Sequence, residues 1–276
     1  MRAAVVQLRS GMETRANRES AVGAVRAAAA AGAQLVVLPE ATMCGFGAPT
    51  TDLAALAEPL DGPFVGALAD TTAETGATVV AGIFEAVPGE RRVYNTLALV
   101  GPGGLIGAYR KVHLYDALGW CESDRVRAGE PEAANTPVAV VDDLTVGVLT
   151  CYDLRFPESA RAAVDAGAGV LAVPAAWVAG EHKLAHWRTL TAARAIENTA
   201  YVLAAAQPGP TYTGHSTVVD PFGVVLGELG DGDGTDEPAL LTAELQSERV
   251  DEARAALPVL EHRRFASGPA PAHGRR

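Results

Sequence analysis

The sequence predicts an α/β protein: two strand–helix–strand halves stacked sheet against sheet with helices outside, a four-layer αββα sandwich. Two observations carry this expectation. Short runs of branched apolar residues alternate with Ala-rich helical stretches, the order in which helices cover the faces of a sheet. One segment also recurs. Ala31-Gly32-Ala33-Gln34-Leu35-Val36-Val37-Leu38-Pro39 is echoed by Ala166-Gly167-Ala168-Gly169-Val170-Leu171-Ala172-Val173-Pro174, each after an Ala-rich helix and each ending in Pro. Ala3–Leu8 precedes the first copy as Val146–Cys151 precedes the second, so the repeat spans a whole strand–helix–strand unit.

Taken in order, Ala3–Leu8 reads as a strand and Glu13–Ala31 as a helix that Gly32 stops. Leu35–Leu38 is a compact apolar strand closed by Pro39 and Glu40. Leu53–Leu56 and Phe64–Thr75 have helical patterns. Thr78–Phe84, Tyr94–Val100 and Leu105–Tyr109 are strands, the last two joined by the turn Gly101-Pro102-Gly103-Gly104. Val112–Asn135 is a long polar loop, and such loops in a domain are usually functional. Val138–Val141 and Leu144–Leu149 form a hairpin across Asp142-Asp143. Then come helix Glu158–Ala166, strand Val170–Val173, helix Lys183–Asn198 and strand Tyr201–Ala206. Ser216–Val219, Val224–Leu229 and Ala239–Leu245 are strands, and Ser247–Leu257 is a helix. One domain over residues 1–265 is expected, with 266–276 a flexible tail of Pro, Gly and Ala.

Composition removes several classes of function. A net charge of −11 argues against a nucleic-acid or anionic-membrane surface. No apolar stretch approaches a membrane span, and the first strand is too short for a signal-peptide core. The three cysteines, Cys44, Cys121 and Cys151, are odd in number and widely spaced, which points to a reducing cytoplasm rather than a disulfide framework. No two histidines share a metal-ligand spacing and no cysteine has a CxxC partner, so no metal site is expected. Asp231–Asp236 lacks the terminal Glu of a calcium loop and reads as a turn.

The chemistry gathers at strand ends. Cys151 closes an apolar run and is followed by a polar bend and by Pro157-Glu158, a normal helix start. Open α/β sheets place ligands at that edge, where a thiol can lie near backbone N–H groups. The bland alternative is a buried, inert cysteine. Glu40 and Lys111 also follow strands directly. A thiol at neutral pH is mostly protonated and needs a base, which a desolvated carboxylate can be. Attack on an amide carbonyl creates an oxyanion, which an ammonium and a backbone N–H can hold. Lys111 would supply the ammonium and Tyr152 the N–H. Singly, each residue also reads as a surface charge or cap, and proximity is not legible from the sequence.

Three motifs strengthen the set: Leu38-Pro39-Glu40; Tyr109-Arg110-Lys111-Val112-His113-Leu114-Tyr115-Asp116; and Cys151-Tyr152-Asp153-Leu154-Arg155-Phe156-Pro157-Glu158. In order and separation they resemble the nitrilase, or carbon–nitrogen hydrolase, superfamily, over about residues 1–265. The resemblance implies a nitrilase-type αββα fold, a cofactor-free hydrolase and a Glu-Lys-Cys triad. Glu40 would be the base, Lys111 the oxyanion stabiliser and Cys151 the nucleophile. Trp120-Cys121-Glu122-Ser123 resembles the family's segment with a second glutamate, in a loop shorter than in many members. Glu122 would then position Lys111 and the substrate nitrogen; an exposed loop acid is the alternative.

Pro174-Ala175-Ala176-Trp177-Val178, His186-Trp187, Ala192-Ala193-Arg194-Ala195, Gly214-His215-Ser216, Asp220-Pro221-Phe222-Gly223 and Leu257-Pro258-Val259-Leu260-Glu261-His262-Arg263-Arg264-Phe265 resemble the branch of deaminated glutathione amidases and omega-amidases. That branch implies cleavage of the terminal amide of a small carboxylate-bearing substrate, such as α-ketoglutaramate or its glutathione-derived analogue, through a thioester. A nitrilase, an N-carbamoyl amino-acid hydrolase and a catalytically silent binding module are the alternatives. Arg155 could meet the substrate carboxylate or pair with Glu158, and Trp177 could line the pocket or belong to the core. His113, His186 and His215 read as loop hydrogen-bonding residues near the site. The family implies a homodimer or higher homo-oligomer.

Overall fold

The repeat seen in the sequence is a repeat of topology. The computed structural model describes residues 1–131, 136–232 and 237–266. The first half runs β1 (Arg2–Gln7), α1 (Thr14–Ala30), β2 (Leu35–Val37), α2 (Pro63–Thr75), β3 (Thr78–Glu85), β4 (Val93–Gly101), β5 (Gly104–Arg110) and a short β6 (Val126–Arg127). The second runs β7 (Val138–Val141), β8 (Leu144–Val148), α3 (Pro157–Asp165), β9 (Val170–Ala175), α4 (Lys183–Asn198), β10 (Tyr201–Ala206), β11 (Thr217–Val219) and β12 (Val225–Glu228). β13 (Ala239–Glu244) then returns to the first sheet, and α5 (Ser247–Ala256) follows.

Sheet order is β13-β1-β2-β3-β4-β5 in one half and β7-β8-β9-β10-β11-β12 in the other, with β6 paired to β4. The two orders correspond strand for strand. Ala3 lies opposite Leu35 in the parallel β1–β2 pair, as Val146 lies opposite Val170 in β8–β9. In each half, three parallel strands joined by helices are followed by antiparallel ones.

Side-chain alternation builds the layers. Leu35 and Val37 face the space between the sheets, against Val146, Val148 and Val170. Val36 points the other way, into the layer filled by Ala21, Val25, Phe64 and Leu68 of α1 and α2. In the second half, Leu171 and Val173 meet Ala160, Ala163 and Trp187 of α3 and α4. Three apolar layers therefore separate four layers of structure, as the sequence predicts. The many small residues let helix and sheet approach closely. A Cβ on Gly147 would lie 2.9 Å from the Ala163 Cβ and 3.0 Å from that of Ala168.

Helix ends follow local chemistry. Pro63 starts α2, and the Glu58 carboxylate accepts from the Phe64 N–H at 2.6 Å near the positive end of the helix. Gly76 ends it at φ +77°. Leu53–Leu56 differs from the expected helix: Leu53–Ala55 is one 3₁₀ turn, capped by Asp52, because so few residues cannot repay helix nucleation. Among the described residues, the long loop after β5 is irregular as expected, except for the 3₁₀ turn Glu122–Asp124 and β6. The expected tail, apart from Ala266, lies outside the described residues, as does most of the expected turn at 231–236. Among the described residues, no helix is long and apolar enough to cross a membrane.

Candidate active site

Glu40 is set by a backbone contact. Pairing continues past β2 through Leu38, whose N–H donates to the Val80 carbonyl at 2.9 Å. The chain then crosses Gly82 of β3 so closely that a Cβ there would lie 2.4 Å from the Ala41 nitrogen. Ala41 itself has φ +56°, and the Gln207 amide donates to the Glu40 carbonyl at 2.9 Å. Lys111 follows β5. Its N–H donates to the Asn95 carbonyl at 2.8 Å, and its carbonyl accepts from Gly129 at 2.9 Å.

Cys151 follows β8 and opens the 3₁₀ turn Cys151–Arg155. Its φ of +45° is left-handed, a conformation that costs a side-chain-bearing residue about 1–3 kcal/mol and that clusters at functional sites. The turn is held from below by Asp153, fully buried. Asp153 accepts from the Thr150 N–H at 3.0 Å, the Tyr109 hydroxyl at 2.8 Å and the His113 N–H at 3.1 Å. The Cys151 turn and the strand that leads to Lys111 are thereby tied to one carboxylate.

The side chains converge. Lys111 Nζ donates to Glu40 Oε1 at 2.9 Å and to both Glu122 oxygens at 2.9 and 3.1 Å. Asn95 Nδ2 bridges the same carboxylates, at 2.7 Å to Glu40 and 3.0 Å to Glu122. The Ala176 N–H completes Glu40 at 2.7 Å, and the Tyr115 N–H completes Glu122 at 2.7 Å. All these side chains are buried. Burial works against the Lys111 charge, but Glu122 and then Glu40 overcome it and hold the ammonium well above its ordinary range. Burial and then the Glu40 charge push the Cys151 thiol well above its ordinary value, with Lys111 opposing. The thiol therefore rests protonated beside a carboxylate and a fixed cation.

Glu40, Lys111, Glu122, Cys151, Tyr152, Arg155 and Trp177, every site residue expected from the sequence, line one solvent-open pocket. Glu122 is a buried partner of Lys111, not an exposed loop acid. Among the described residues Arg155 has no ion pair with Glu158; its guanidinium lies 4.7 Å from the centre of the Trp177 ring. Trp177 serves both alternatives, lining the pocket and packing on Trp187 at 5.5 Å between ring centres.

The carbon–nitrogen hydrolase family model matches residues 2–255. The chain belongs to the carbon–nitrogen hydrolase family. A hydrolase of Mycobacterium tuberculosis is 40% identical over 95% of each chain. The deaminated glutathione amidase of Escherichia coli O157:H7 is 40% identical over 91% of this chain and 92% of its own. The crystal structure of Saccharomyces cerevisiae Nit3, of branch 10 of the nitrilase superfamily, superposes with a TM-score of 0.82 at 30% identity, covering 96% of this chain and 97% of that one. The protein is a nitrilase-superfamily hydrolase of carbon–nitrogen bonds, of the amidase kind.

In this hydrolase the tempting histidines are hydrogen-bonding residues. His113 Nδ1 lies 2.7 Å from Asp153 and its ring stacks on Phe156, His215 pairs with Glu228 at 2.9 Å, and His186 lies 3.4 Å from Arg155. Sequence reasoning missed Asn95, Asp153, Lys183 and Tyr212. Asn95 carried a faint signal, an amide beside Thr96 at the head of a strand that is apolar from Leu97 to Val100. Tyr212 lines the pocket, and burial, then Glu40 and Cys151, push its hydroxyl well above the usual range.

Proposed function

We propose that the protein is a cysteine-dependent amidase that hydrolyses the terminal amide of a small carboxylate-bearing substrate, of the deaminated glutathione or α-ketoglutaramate type. The observation that carries this reading is the buried cluster of Glu40, Lys111, Glu122 and Cys151 at a pocket that also exposes Arg155. Relatives with deaminated glutathione amidase activity in their names support the substrate class.

In this reading Glu40 takes the Cys151 proton and the thiolate attacks the amide carbon. Lys111, held between two carboxylates, has its charge fixed toward the developing oxyanion, and the Tyr152 N–H is the second donor. The leaving nitrogen takes the proton from Glu40 and departs as ammonia, or as the amine the amide carries, leaving a thioester. Glu40 then deprotonates water, which attacks the thioester. The thiolate leaves, recovers the proton and releases the acid. Glu122 anchors Lys111 through both of its oxygens. No cofactor enters these steps. The three free cysteines suit a reducing cytoplasm, and a homodimer or higher homo-oligomer is part of the proposal.

A panel of α-keto ω-amides, nitriles and N-carbamoyl amino acids tests the reading. Ammonia without CO₂ from an ω-amide is expected. Acid from a nitrile, or ammonia with CO₂, would replace the amidase with a nitrilase or a carbamoyl hydrolase. Cys151→Ala should stay folded, form no thioester and lose turnover; substantial residual turnover in pure protein would sink the mechanism.

A further inference from the structure

The wall of the pocket carries positive charge that has no carboxylate partner among the described residues. The lining holds Lys111, Arg125, Arg155 and Lys183 against the carboxylates of Glu40 and Glu122, in a chain whose net charge is −11. Lys111 is taken by both glutamates, and Arg125 donates to the Phe46 and Ala48 carbonyls. Among the described residues, neither Arg155 nor Lys183 has a carboxylate partner within ion-pair distance.

Lys183 is the more telling of the two. It is the first residue of α4 and only 7% exposed. Its ammonium donates to the Tyr115 hydroxyl at 2.7 Å and lies 4.7 Å from the Tyr115 ring centre and 5.6 Å from that of Trp177. Its carbonyl accepts from the Trp177 indole at 3.0 Å, so the lysine and the tryptophan are fixed to each other. An ammonium has three donors, and this one meets a neutral hydroxyl and two aromatic rings. Burying a charge on such terms is costly unless an anion completes the set. Arg155 shares the same tryptophan, its guanidinium 4.7 Å from the ring centre. Tyr115 also gives its N–H to Glu122 at 2.7 Å, so one residue touches both the catalytic cluster and Lys183. An anion completing the set would therefore lie within one small molecule's reach of the Glu40–Lys111–Glu122 cluster.

We infer that Lys183 determines substrate specificity: its ammonium, with the Arg155 guanidinium also on Trp177, binds a carboxylate of the substrate and selects carboxylate-bearing amides over neutral aliphatic ones. This rests on the amidase reading and names the residue behind its substrate class.

Succinamate and butyramide, matched in length and differing in the carboxylate, are the probes, with ammonia release giving kcat and KM separately. The wild type should prefer succinamate. In Lys183→Met the ratio of kcat/KM for succinamate over that for butyramide should fall about 10- to 100-fold, carried in KM, the range for losing a charged hydrogen bond. Lys183→Arg should keep the preference. An unchanged ratio in Lys183→Met, with both substrates slowed alike, would overturn the inference and leave Lys183 a support for Tyr115 and Glu122. If Lys183→Met does not fold, Lys183→Arg decides, because a collapsed ratio there contradicts recognition by charge. Failure of the wild type on both amides would instead remove the amidase reading itself.

Discussion

Gly82→Ala isolates the dependence of the site on one backbone contact. Gly82 lies in the buried middle of β3, with its N–H donating to the Pro39 carbonyl and its carbonyl accepting from Met43, both at 3.1 Å. An alanine Cβ would lie 2.4 Å from the Ala41 nitrogen, 2.7 Å from the Glu40 Cα and 2.8 Å from the Glu40 carbonyl carbon, where ordinary contact begins at 3.4 Å. The overlap is about 1 Å, and it falls on backbone, which cannot swing aside as a long side chain can. Gly82 is held in the ladder to β4 opposite Leu97, and β3 is anchored to β2 at Thr78–Val80, so the Glu40 segment must yield. The Gly82 backbone is not left-handed, so alanine adds no conformational strain and the steric term stands alone. A shift of that size breaks the 2.7–2.9 Å bonds that fix the Glu40 carboxylate. The expected result is a loss of kcat/KM of about 100-fold, typical of a 1 Å misplacement. Stability should fall by about 1–3 kcal/mol, a few degrees in Tm for a chain of this size. Ammonia-release kinetics and thermal unfolding measure both. A folded Gly82→Ala with wild-type kcat/KM would show that the close approach has no part in placing Glu40.

Other expectations follow from the same contacts. Glu40→Gln should block both acylation and deacylation, seen as the absence of an ammonia burst and of a thioester by mass spectrometry; unaffected alkylation of Cys151 together with unaffected hydrolysis would remove Glu40 as the base. Asn95→Ala takes a shared N–H from two buried carboxylates and should cost about 1.5–3 kcal/mol in activation free energy, read as kcat/KM. Asn95→Asp adds a third carboxylate and should be worse, with a displaced pH profile; equal activity in all three proteins would refute the bridge. Stability should fall on the alkaline side. Burial and Glu40 raise the Cys151 thiol, so the folded chain keeps a proton that the unfolded chain loses above about pH 8.5. Lys111, raised by Glu122 and Glu40 against burial, contributes fully below about pH 10.4 and loses that contribution as pH rises through its folded value. Cys151→Ala should therefore flatten the earlier part of the alkaline fall in Tm, and an unchanged slope would contradict the burial account.

What was legible in the sequence is what its patterns encode. Apolar runs ending in Pro39-Glu40, Arg110-Lys111 and Thr150-Cys151 placed three candidate site residues at strand ends, and strand ends meet in this fold. The halves were legible because both repeat the same Ala-rich helix and Pro-ended strand. Contacts across the fold were not. Asn95 is separated from Glu40 by 55 positions and from Glu122 by 27, and nothing local to β4 says that its amide faces two carboxylates. Lys183 heads a helix, where a lysine usually reads as solvated. Its burial comes from Tyr115, 68 positions away, and from Trp177. Asp153 sat inside a quoted motif, yet its role depends on Tyr109 and His113, brought to it by the other sheet.

The repeat also explains why the candidate site draws different residues from the two halves. Aligning the Pro39 and Pro174 strand ends sets Glu40 against Ala175, and aligning the first strands sets Cys151 against Leu8. Each half thus carries a candidate site residue where the other carries an apolar one. The first half brings Glu40, Asn95, Lys111 and Glu122; the second brings Cys151, Arg155 and Lys183. The charges face each other only because the sheets pack through the layer of Leu35, Val37, Val146 and Val148. Hydrogen bonds stitch the seam at the site itself: the Ala176 N–H and the Gln207 amide, both just beyond second-half strands, donate to Glu40. Neither half holds the proposed base and the thiol together. The geometry of the candidate site is therefore a property of the inter-sheet packing, and substitutions in that layer should disturb the Glu40–Cys151 relation before they disturb either half alone.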